Sequence, residues 1–273
     1  MHKLGIIGQP SDWLISSHVD PKRAKELGIE LINIDIQELA DLAKADSNNP
    51  LKQSLRPSFS KPEQEKALHI YSALETLIKK YDLEGFTVRC FDLLSVLKTS
   101  SCLAFAHIND EGIIATCEGD VPTMISMFMV KDILNQKSFQ CNPSRIDLDN
   151  KRIVLAHCTI PLSMCSSYDL DTHYESGIGI GVKGELNLGD VTIFKIDNEL
   201  KRFVALEGEI VRNLNEPNLC RTQIEVSLPK GIEYFLTKPL SNHHLIIYGH
   251  KANEFRNQLT KLGLKEVTIK WRY

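Results

Sequence analysis

The order of apolar segments constrains the fold of this chain more than any single motif does. In the first half, short apolar runs alternate with segments of helical spacing. The runs predict strands at residues 4–7, 29–34, 85–91 and 113–115. The spacing predicts helices at residues 21–27, 36–45, 63–81, 93–98 and 122–134, and the polar, proline-containing segment 46–62 predicts a loop. This alternation is typical of a mainly parallel sheet covered by helices.

The pattern changes at about residue 138, where short β-branched runs begin to dominate. These runs predict strands at residues 152–156, 191–196, 202–210, 223–226, 245–248 and 266–271, with one helix at 253–262. The sequence therefore predicts the α/β class with two domains. A parallel, Rossmann-like α/β domain would span residues 1–137, and a mostly antiparallel, barrel-like β domain would span 138–273.

Composition excludes several classes of protein. The 273 residues are 42% hydrophobic and 25% charged, as in an ordinary soluble protein. The net charge is −3 with Lys and Arg spread along the chain, so we expect neither nucleic acid nor a membrane as a partner. No apolar run reaches the length of a membrane span, and the N-terminus is typical of a first strand rather than a signal peptide.

The cysteines indicate the compartment. Their number is seven, they are widely spaced, and none forms a C-x-x-C pair. We expect a cytoplasmic protein in which most of them are small buried hydrophobic residues, rather than a disulfide framework or a cysteine zinc site.

The segment T-C-E-G-D at 116–120 is the first candidate for chemistry. Glu118 and Asp120 lie where a predicted strand meets a helix, and α/β sheets usually bind ligands at the carboxyl ends of their strands. A helix N-terminus also keeps such carboxylates ionised. The alternative is that Asp120 only caps the helix and that Glu118 is a surface acid.

Three histidine segments are the other candidates. His157 ends a predicted strand, where the alternative is a hydrogen-bonded core histidine. His243 and His244 are adjacent, so only one can face a given site from an extended chain. His173 and Glu175 share a face if their segment is extended, and they would either contact a sugar or form a loop hydrogen-bond network.

Other motifs are weaker. The glycines of G-I-G-I-G at 177–181 lack the context of a dinucleotide fingerprint and indicate a strand bend. No G-x-x-x-x-G-K-[ST] or G-x-S-x-G segment occurs. Arg89, Arg145 and Arg221 are candidates for anion contacts, with surface salt bridges as the alternative.

Several segments, in this order, resemble one enzyme superfamily. They are C-E-G-D-V-P-T-M-I-S-M, S-F-Q-C-N-P, L-A-H-C-T-I-P, C-R-T-Q-I and N-H-H-L-I-I-Y-G. They resemble the L-fucose isomerase/L-arabinose isomerase superfamily, and more closely its fucose isomerase-like branch. The similarity begins near G-Q-P-S-D-W-L at 8–14 and runs to the C-terminus. It implies an aldose–ketose isomerase that uses a divalent cation, usually Mn²⁺, acts on a sugar through an enediol, and forms a homo-oligomer.

The resemblance also implies roles for the residues. The glutamate of C-E-G-D binds the metal and takes part in proton transfer, and the histidines of L-A-H-C and N-H-H complete the site. The predicted site therefore contains catalytic Glu118 and Asp120, metal ligands Glu118 with His243 or His244, and sugar contacts His157, His173 and Glu175.

Two departures from the family matter. In the family, a second metal carboxylate follows the glutamate helix, but residues 138–142 of this chain read S-F-Q-C-N and contain no carboxylate. Asn142 or nearby Asp147 would have to substitute for it. The loss of an anionic ligand should weaken the binding of a hard cation. Family members also usually carry another α/β domain ahead of this region. The chain would then be a short form, a truncated product, or half of a split enzyme that needs a separate chain. A catalytically silent sugar-binding or partner subunit is the alternative function.

Overall fold

A four-stranded parallel sheet forms the first part of the fold. The computed structural model describes residues 1–45 and 56–269, and all structural statements below concern these residues. The strands lie in the order β2-β1-β3-β4 with every pairing parallel. They are β1 His2–Ile7, β2 Ile29–Ile34, β3 Gly85–Val88 and β4 Ile114–Thr116. Six helices surround them: α1 Pro21–Glu26, α2 Ile36–Lys44, α3 Lys61–Tyr81, α4 Cys90–Leu97, α5 Cys102–Asp110 and α6 Val121–Leu134.

A seven-stranded sheet forms the second part. Its order is β11-β6-β5-β12-β9-β10-β13, and an added pairing of β10 with β11 closes six of its strands into a barrel. Only the pairing of β10 with β13 is parallel among its described pairings. Its strands are β5 Phe139–Asp147, β6 Arg152–His157, β9 Gly189–Ile196, β10 Arg202–Asn213, β11 Thr222–Ser227, β12 His244–Tyr248 and β13 Lys265–Glu266. A separate hairpin joins β7 Cys165–Asp171 to β8 Gly181–Leu186, and two short helices follow, α7 Tyr234–Thr237 and α8 Ala252–Leu259.

These two sheets confirm the predicted α/β class, with one parallel and one antiparallel, barrel-like sheet. Helix α6 packs between them, because Met124 and Phe128 share one apolar cluster with Leu4 of β1 and with Phe194 and Leu245 of the barrel. This apolar cluster contains residues from both sides of position 137. The division into domains at 137 and 138 stays a prediction.

Several predicted elements differ from the observed ones. The run at 85–91 is a strand only to Val88, and Cys90 begins helix α4. Lys61 and Pro62 belong to α3 rather than to a loop, because a proline fits the first turn of a helix. Residues 46–55 of the predicted loop lie outside the described residues, as do 270 and 271 of the predicted last strand, of which only Glu266 is in β13.

Three strands and two helices, α5 and the four-residue α7, were not predicted. Helix α5 is buried on nearly every side, so its sequence lacks the alternation of polar and apolar faces that marks a surface helix. Strands β7 and β5 carry polar residues at many positions and have no continuous apolar run. Strand β8 begins at Gly181, the last glycine of G-I-G-I-G, a segment in which the sequence indicates a bend. No helix among the described residues is both long and apolar enough to cross a membrane.

Candidate active site

Three of the predicted side chains converge where the two sheets meet. One ligand atom from each of Glu118, His157 and His243 lies within 4.8 Å of the others. The Nε2 atom of His243 is 3.4 Å, and that of His157 is 3.7 Å, from Oε1 of Glu118. Glu118 follows β4, His157 ends β6, and His243 immediately precedes β12. A carboxylate oxygen and imidazole nitrogens are donors that suit a divalent transition metal.

The turn between β4 and α6 positions Glu118. Glu118 and Gly119 both have left-handed backbones, with φ of 65° and 61°. A Cβ on Gly119 would lie 2.6 Å from the carbonyl oxygen of Gln9, so only glycine fits there. The hydroxyl of Ser11 donates to the carbonyl of Glu118, and the N–H of Gly119 donates to the carbonyl of Val88 at 2.9 Å. Contacts from two neighbouring segments therefore hold a conformation that a glutamate adopts only at a cost.

Asp120 lies behind His243 and has no exposed surface. Its Oδ1 accepts the N–H of Thr123 at 2.8 Å, which confirms the alternative interpretation of Asp120 as the cap of α6. Its Oδ2 lies 2.8 Å from Nδ1 of His243, and Oδ1 lies 3.4 Å from the ammonium of Lys195, which is also fully buried. Asp120 is thus placed to hold His243 rather than to touch a sugar, and its predicted part in proton transfer stays a prediction.

Four buried or nearly buried groups shift one another's pKa: Asp120, Lys195, His243 and Glu118. Burial raises the pKa of Asp120, but the charge of Lys195 and the hydrogen bond with His243 lower it to about 2. Burial lowers the pKa of His243, but the charge of Glu118 and the bond to Asp120 raise it to about 9. Burial also raises the pKa of Glu118, while both histidines hold it well below its ordinary value. The carboxylates of Asp120 and Glu118 therefore face the imidazole of His243 and the amine of Lys195.

His243 fits a metal ligand. Its Nδ1 is occupied by Asp120, whereas its buried Nε2 has no hydrogen-bond partner among the described residues. Metal-bound histidines almost always use one nitrogen for the metal and donate the other N–H to a carboxylate or carbonyl. The orphaned Nε2, which faces Glu118, is the atom that a cation would satisfy.

His157 differs from His243 in its hydrogen bonding. Its Nδ1 accepts the backbone N–H of Thr159 at 3.2 Å. In the neutral ring this places the proton on Nε2, which faces Glu118. His157 is therefore set to donate a hydrogen bond, which matches its predicted contact with a sugar better than a place among the metal ligands.

His244 lies on the other side of β12. Its Nε2 is 2.9 Å from the hydroxyl of Tyr234, and its ring packs against Phe235. Complete burial lowers its pKa to about 3, so it stays neutral. Of the two adjacent histidines, the structure brings His243 to Glu118 and turns His244 into the barrel core, as the alternation of side chains along a strand requires.

His173 and Glu175 line the same cleft as Glu118 and His157. The Nε2 atom of His173 is 3.1 Å from Oε2 of Glu175, and its Nδ1 is 2.9 Å from the hydroxyl of Ser176. The loop hydrogen-bond network that was one interpretation of this pair is therefore present. A contact with sugar remains a prediction that the position of the pair allows.

Gln140 lies in the segment S-F-Q-C-N at 138–142, where the resemblance predicts a second metal carboxylate. Its Oε1 accepts the N–H of Cys117 at 3.0 Å, and its Nε2 donates to the carbonyl of Cys117 at 3.4 Å, so the amide supports the residue before Glu118. Asp147 is wrong as a substitute, because it pairs with Arg152 at the far end of β6. That end lies about 17 Å from His157 at the ordinary rise of a strand. Asn142, which pairs with Ala156, stays a candidate.

The sequence interpretation missed Trp13 at the mouth of the cleft. Its Nε1 donates to Oε2 of Glu118 at 3.4 Å, and its ring meets Phe91 edge-on with centroids 5.5 Å apart. The guanidinium of Arg89 lies 4.8 Å from the centroid of the Trp13 ring. Trp13 and Arg89 both follow the carboxyl ends of strands in the parallel sheet, where α/β proteins usually bind ligands. This position was the signal that could have identified Trp13.

The three candidate arginines have different surroundings. Arg145 forms an exposed bidentate pair with Glu216 at 2.7 and 2.9 Å, as the salt-bridge interpretation predicts. Arg221 donates to the carbonyl of Thr172 at 2.7 Å and fixes the loop that carries His173. Arg89 stacks on Trp13 and precedes Cys90, which lines the cleft.

Comparison with known proteins points to sugar isomerases. No family model matches the chain. The sulfoquinovose isomerase of Priestia aryabhattai is 21% identical over 273 residues, which cover 90% of this chain and 60% of that protein. Those of Alkalicoccus urumqiensis and Clostridium sp. (strain MSTE9) are 21% and 23% identical, and they cover 93% and 92% of this chain and 61% of their own lengths. The chain thus spans about three fifths of the curated relatives that it matches, and the similarity agrees with a sugar isomerase.

Proposed function

We propose that this chain carries the catalytic residues of a metal-dependent aldose–ketose isomerase of the L-fucose/L-arabinose isomerase type. It would be an intramolecular oxidoreductase of carbohydrate metabolism. Glu118 and His243 would hold the divalent cation, for which Mn²⁺ is the first candidate. The observation that carries the proposal is the buried, unpartnered Nε2 of His243, which lies 3.4 Å from Oε1 of Glu118 while Asp120 occupies Nδ1.

The reaction moves a proton between C2 and C1 of an open-chain sugar, and negative charge develops on both oxygens. A bound divalent cation would polarise the carbonyl and stabilise that charge. The ionised carboxylate of Glu118 takes the proton from C2 and returns it to C1, and the hydroxyl proton passes from O2 to O1, so that the aldehyde becomes a hydroxymethyl group and C2 becomes the ketone. The Nε2–H of His157, 3.7 Å from Oε1 of Glu118, donates to a sugar oxygen beside it. Asp120 keeps Nδ1 of His243 protonated and fixes the orientation of that ring.

The substrate class that we propose is a monosaccharide with an anionic group. The relatives are named for a sulfosugar, and the guanidinium of Arg89 lies over Trp13 at the mouth of the cleft. Asp12 and Asp92 lie 3.5 and 3.3 Å from the Arg89 guanidinium, so an anionic sugar would compete with these two carboxylates for its charge. We further propose a cytoplasmic homo-oligomer that works with the additional domain of the longer relatives, either in the same protein or on a separate chain.

One observation favours the second candidate, a catalytically silent sugar-binding or partner subunit. Among the described residues, the cluster of Glu118, His157 and His243 contains only one carboxylate. Hard divalent cations bind more weakly when a carboxylate ligand is missing. Binding of Mn²⁺ without turnover is the expected behaviour of such a subunit.

Isomerisation by the purified full chain tests the proposal. The metal-free protein is given Mn²⁺ and then sulfoquinovose, L-fucose or L-arabinose, and the ketose is measured. We expect ketose from wild type and from Glu216→Gln, a matched change at an exposed carboxylate, and none from Glu118→Gln with an unchanged circular dichroism spectrum. Retained activity in Glu118→Gln would refute the assigned role.

Thermal unfolding separates the two candidates. A cation at a hundredfold excess over its dissociation constant stabilises the native state by about 2.7 kcal/mol. Stabilisation by Mn²⁺ without ketose from any aldose supports the silent subunit. If Mn²⁺ gives neither stabilisation nor ketose, both candidates fail.

A further inference from the structure

A second group of metal-binding side chains lines another wall of the cleft. Cys158, Glu175 and Cys220 each offer one ligand atom, and these atoms all lie within 4.8 Å of one another. The thiol of Cys220 donates to Oε1 of Glu175 at 3.3 Å. None of the three belongs to the group formed by Glu118, His157 and His243.

The barrel brings the two cysteines together. Strands β6 and β11 are antiparallel neighbours, and His157 pairs with Thr222 at their ends. Cys158, one residue beyond β6, therefore lies beside Cys220, two residues before β11. Cys158 is buried and Cys220 half-buried, so the pair opens toward the cleft from a rigid part of the fold.

The loop between β7 and β8 adds the carboxylate. Arg221 donates to the carbonyl of Thr172 at 2.7 Å and to its hydroxyl at 3.0 Å, which ties this loop to the start of β11. The second oxygen of Glu175 lies 3.1 Å from Nε2 of His173. Outer partners of this kind orient the carboxylates that bind metals.

The donor set selects the kind of cation. Thiolates favour Zn²⁺ and other thiophilic ions, whereas Mn²⁺ favours oxygen ligands. Zinc sites with three protein ligands keep a fourth position for water or a ligand. All seven cysteines are free, so both thiols are available.

We propose that Cys158, Cys220 and Glu175 form a second cation site, which binds a thiophilic divalent ion of the Zn²⁺ class and is separate from the site of Glu118 and His243. This proposal departs from the expectation from sequence that the chain has no cysteine zinc site. The two cysteines are far apart in sequence and form no C-x-x-C motif, and only the strand pairing reveals them. The proposal does not depend on the isomerase activity.

Titration with Cd²⁺ tests the second site, because cadmium–thiolate bonds give a charge-transfer band in the ultraviolet. The full chain is reduced and freed of metal, and then Cd²⁺ is added. We expect a band that saturates at one ion per chain in wild type and persists in Glu118→Gln. Cys220→Ser should lose most of the band and more than about tenfold in affinity, since even the loss of an outer partner costs that much.

Two further variants keep the result interpretable. Cys165→Ser, a matched change at a half-buried cysteine outside the group, should titrate like wild type. Glu175→Gln should weaken Cd²⁺ binding while keeping the thiolate band. Because Glu175 is exposed, this variant tests the site without the risk of misfolding that a cysteine substitution carries. The proposal is overturned if wild type gives no band, if Cys220→Ser titrates like wild type, or if Cys165→Ser loses as much.

Discussion

Replacing Asp120 by asparagine tests how the buried charges hold the candidate active site. Asparagine can still accept the N–H of Thr123, so the cap of α6 is retained. The variant loses the negative charge that lies 3.4 Å from Nζ of Lys195 and 2.8 Å from Nδ1 of His243. All three side chains have no exposed surface, so water cannot replace the lost partner.

The expected loss of stability follows from this burial. Removing one partner of a buried ion pair costs about 3–5 kcal/mol, because the other charge stays buried. Lys195 can reduce this cost by losing its proton, since burial already lowers its pKa. The unfolded chain then binds more protons than the folded one, so the stability of Asp120→Asn rises with pH. We expect a loss of about 3 kcal/mol at neutral pH that shrinks toward the ordinary lysine pKa of about 10.4.

Adding Lys195→Met separates stability from metal binding. Replacing a buried ion pair by apolar groups of similar size is often neutral, so the double variant should recover most of the lost stability. Its Mn²⁺ affinity should stay about 10–100-fold below wild type, because the ring of His243 still lacks its charged partner.

Urea unfolding and calorimetric titration with Mn²⁺ measure the two quantities independently. The matched control is Asp147→Asn, at the last residue of β5, where a solvent-accessible carboxylate accepts hydrogen bonds from Asn150. Unfolding of Asp120→Asn within about 1 kcal/mol of wild type would contradict a buried ion pair. Wild-type Mn²⁺ affinity in the double variant would show that Asp120 does not orient His243.

Four further predictions concern the same region. Mn²⁺ must displace a proton from His243, so with a pKa of about 9 the apparent affinity should fall about tenfold per pH unit below that value, as calorimetry at several pH values can measure. Without metal, this raised pKa contributes stability that is fully present below about pH 6.5 and is lost as pH rises through about 9, which urea unfolding can follow. Tyr234→Phe should cost about 1–3 kcal/mol in urea unfolding, because Nε2 of His244 and the N–H of Leu240 lose their partner, and it should leave Mn²⁺ affinity unchanged. His243→Gln, in contrast, should abolish stabilisation by Mn²⁺. Gly119→Ala should cost about 1–3 kcal/mol and displace Glu118, because its Cβ would meet a backbone oxygen at 2.6 Å; unchanged Tm and Mn²⁺ affinity would refute the steric argument.

Local sequence patterns predict much of the fold and stop at identifiable points. Strands β1 and β2 and helix α3 have clear period and end signals, and the change of pattern near residue 138 predicts the second sheet. Helix α5 was not predicted because a helix that is buried on nearly every side has no polar face. Strand β7 was not predicted because a half-exposed hairpin has no continuous apolar run. Closure of the barrel through β10 and β11 depends on strand pairing, which a single sequence does not contain.

Within the candidate active site, ordered motifs locate Glu118, His157 and His243. The choice of His243 over His244 depends on the register of β12 against its neighbours, and this becomes visible only in the structure. Lys195 was missed because a single lysine in V-T-I-F-K-I resembles the solvated end of a strand. Its partner Asp120 lies 75 residues away in sequence.

The candidate active site exists only when helix α6 has packed between the two sheets. Its three side chains come from the turn after β4, the end of β6 and the start of β12, and they meet across long stretches of chain. Contacts of such high sequence separation are slow to form. Interactions absent from the folding transition state mainly retard unfolding. A cation at Glu118 and His243 would therefore lengthen the lifetime of the native protein while leaving its folding rate nearly unchanged.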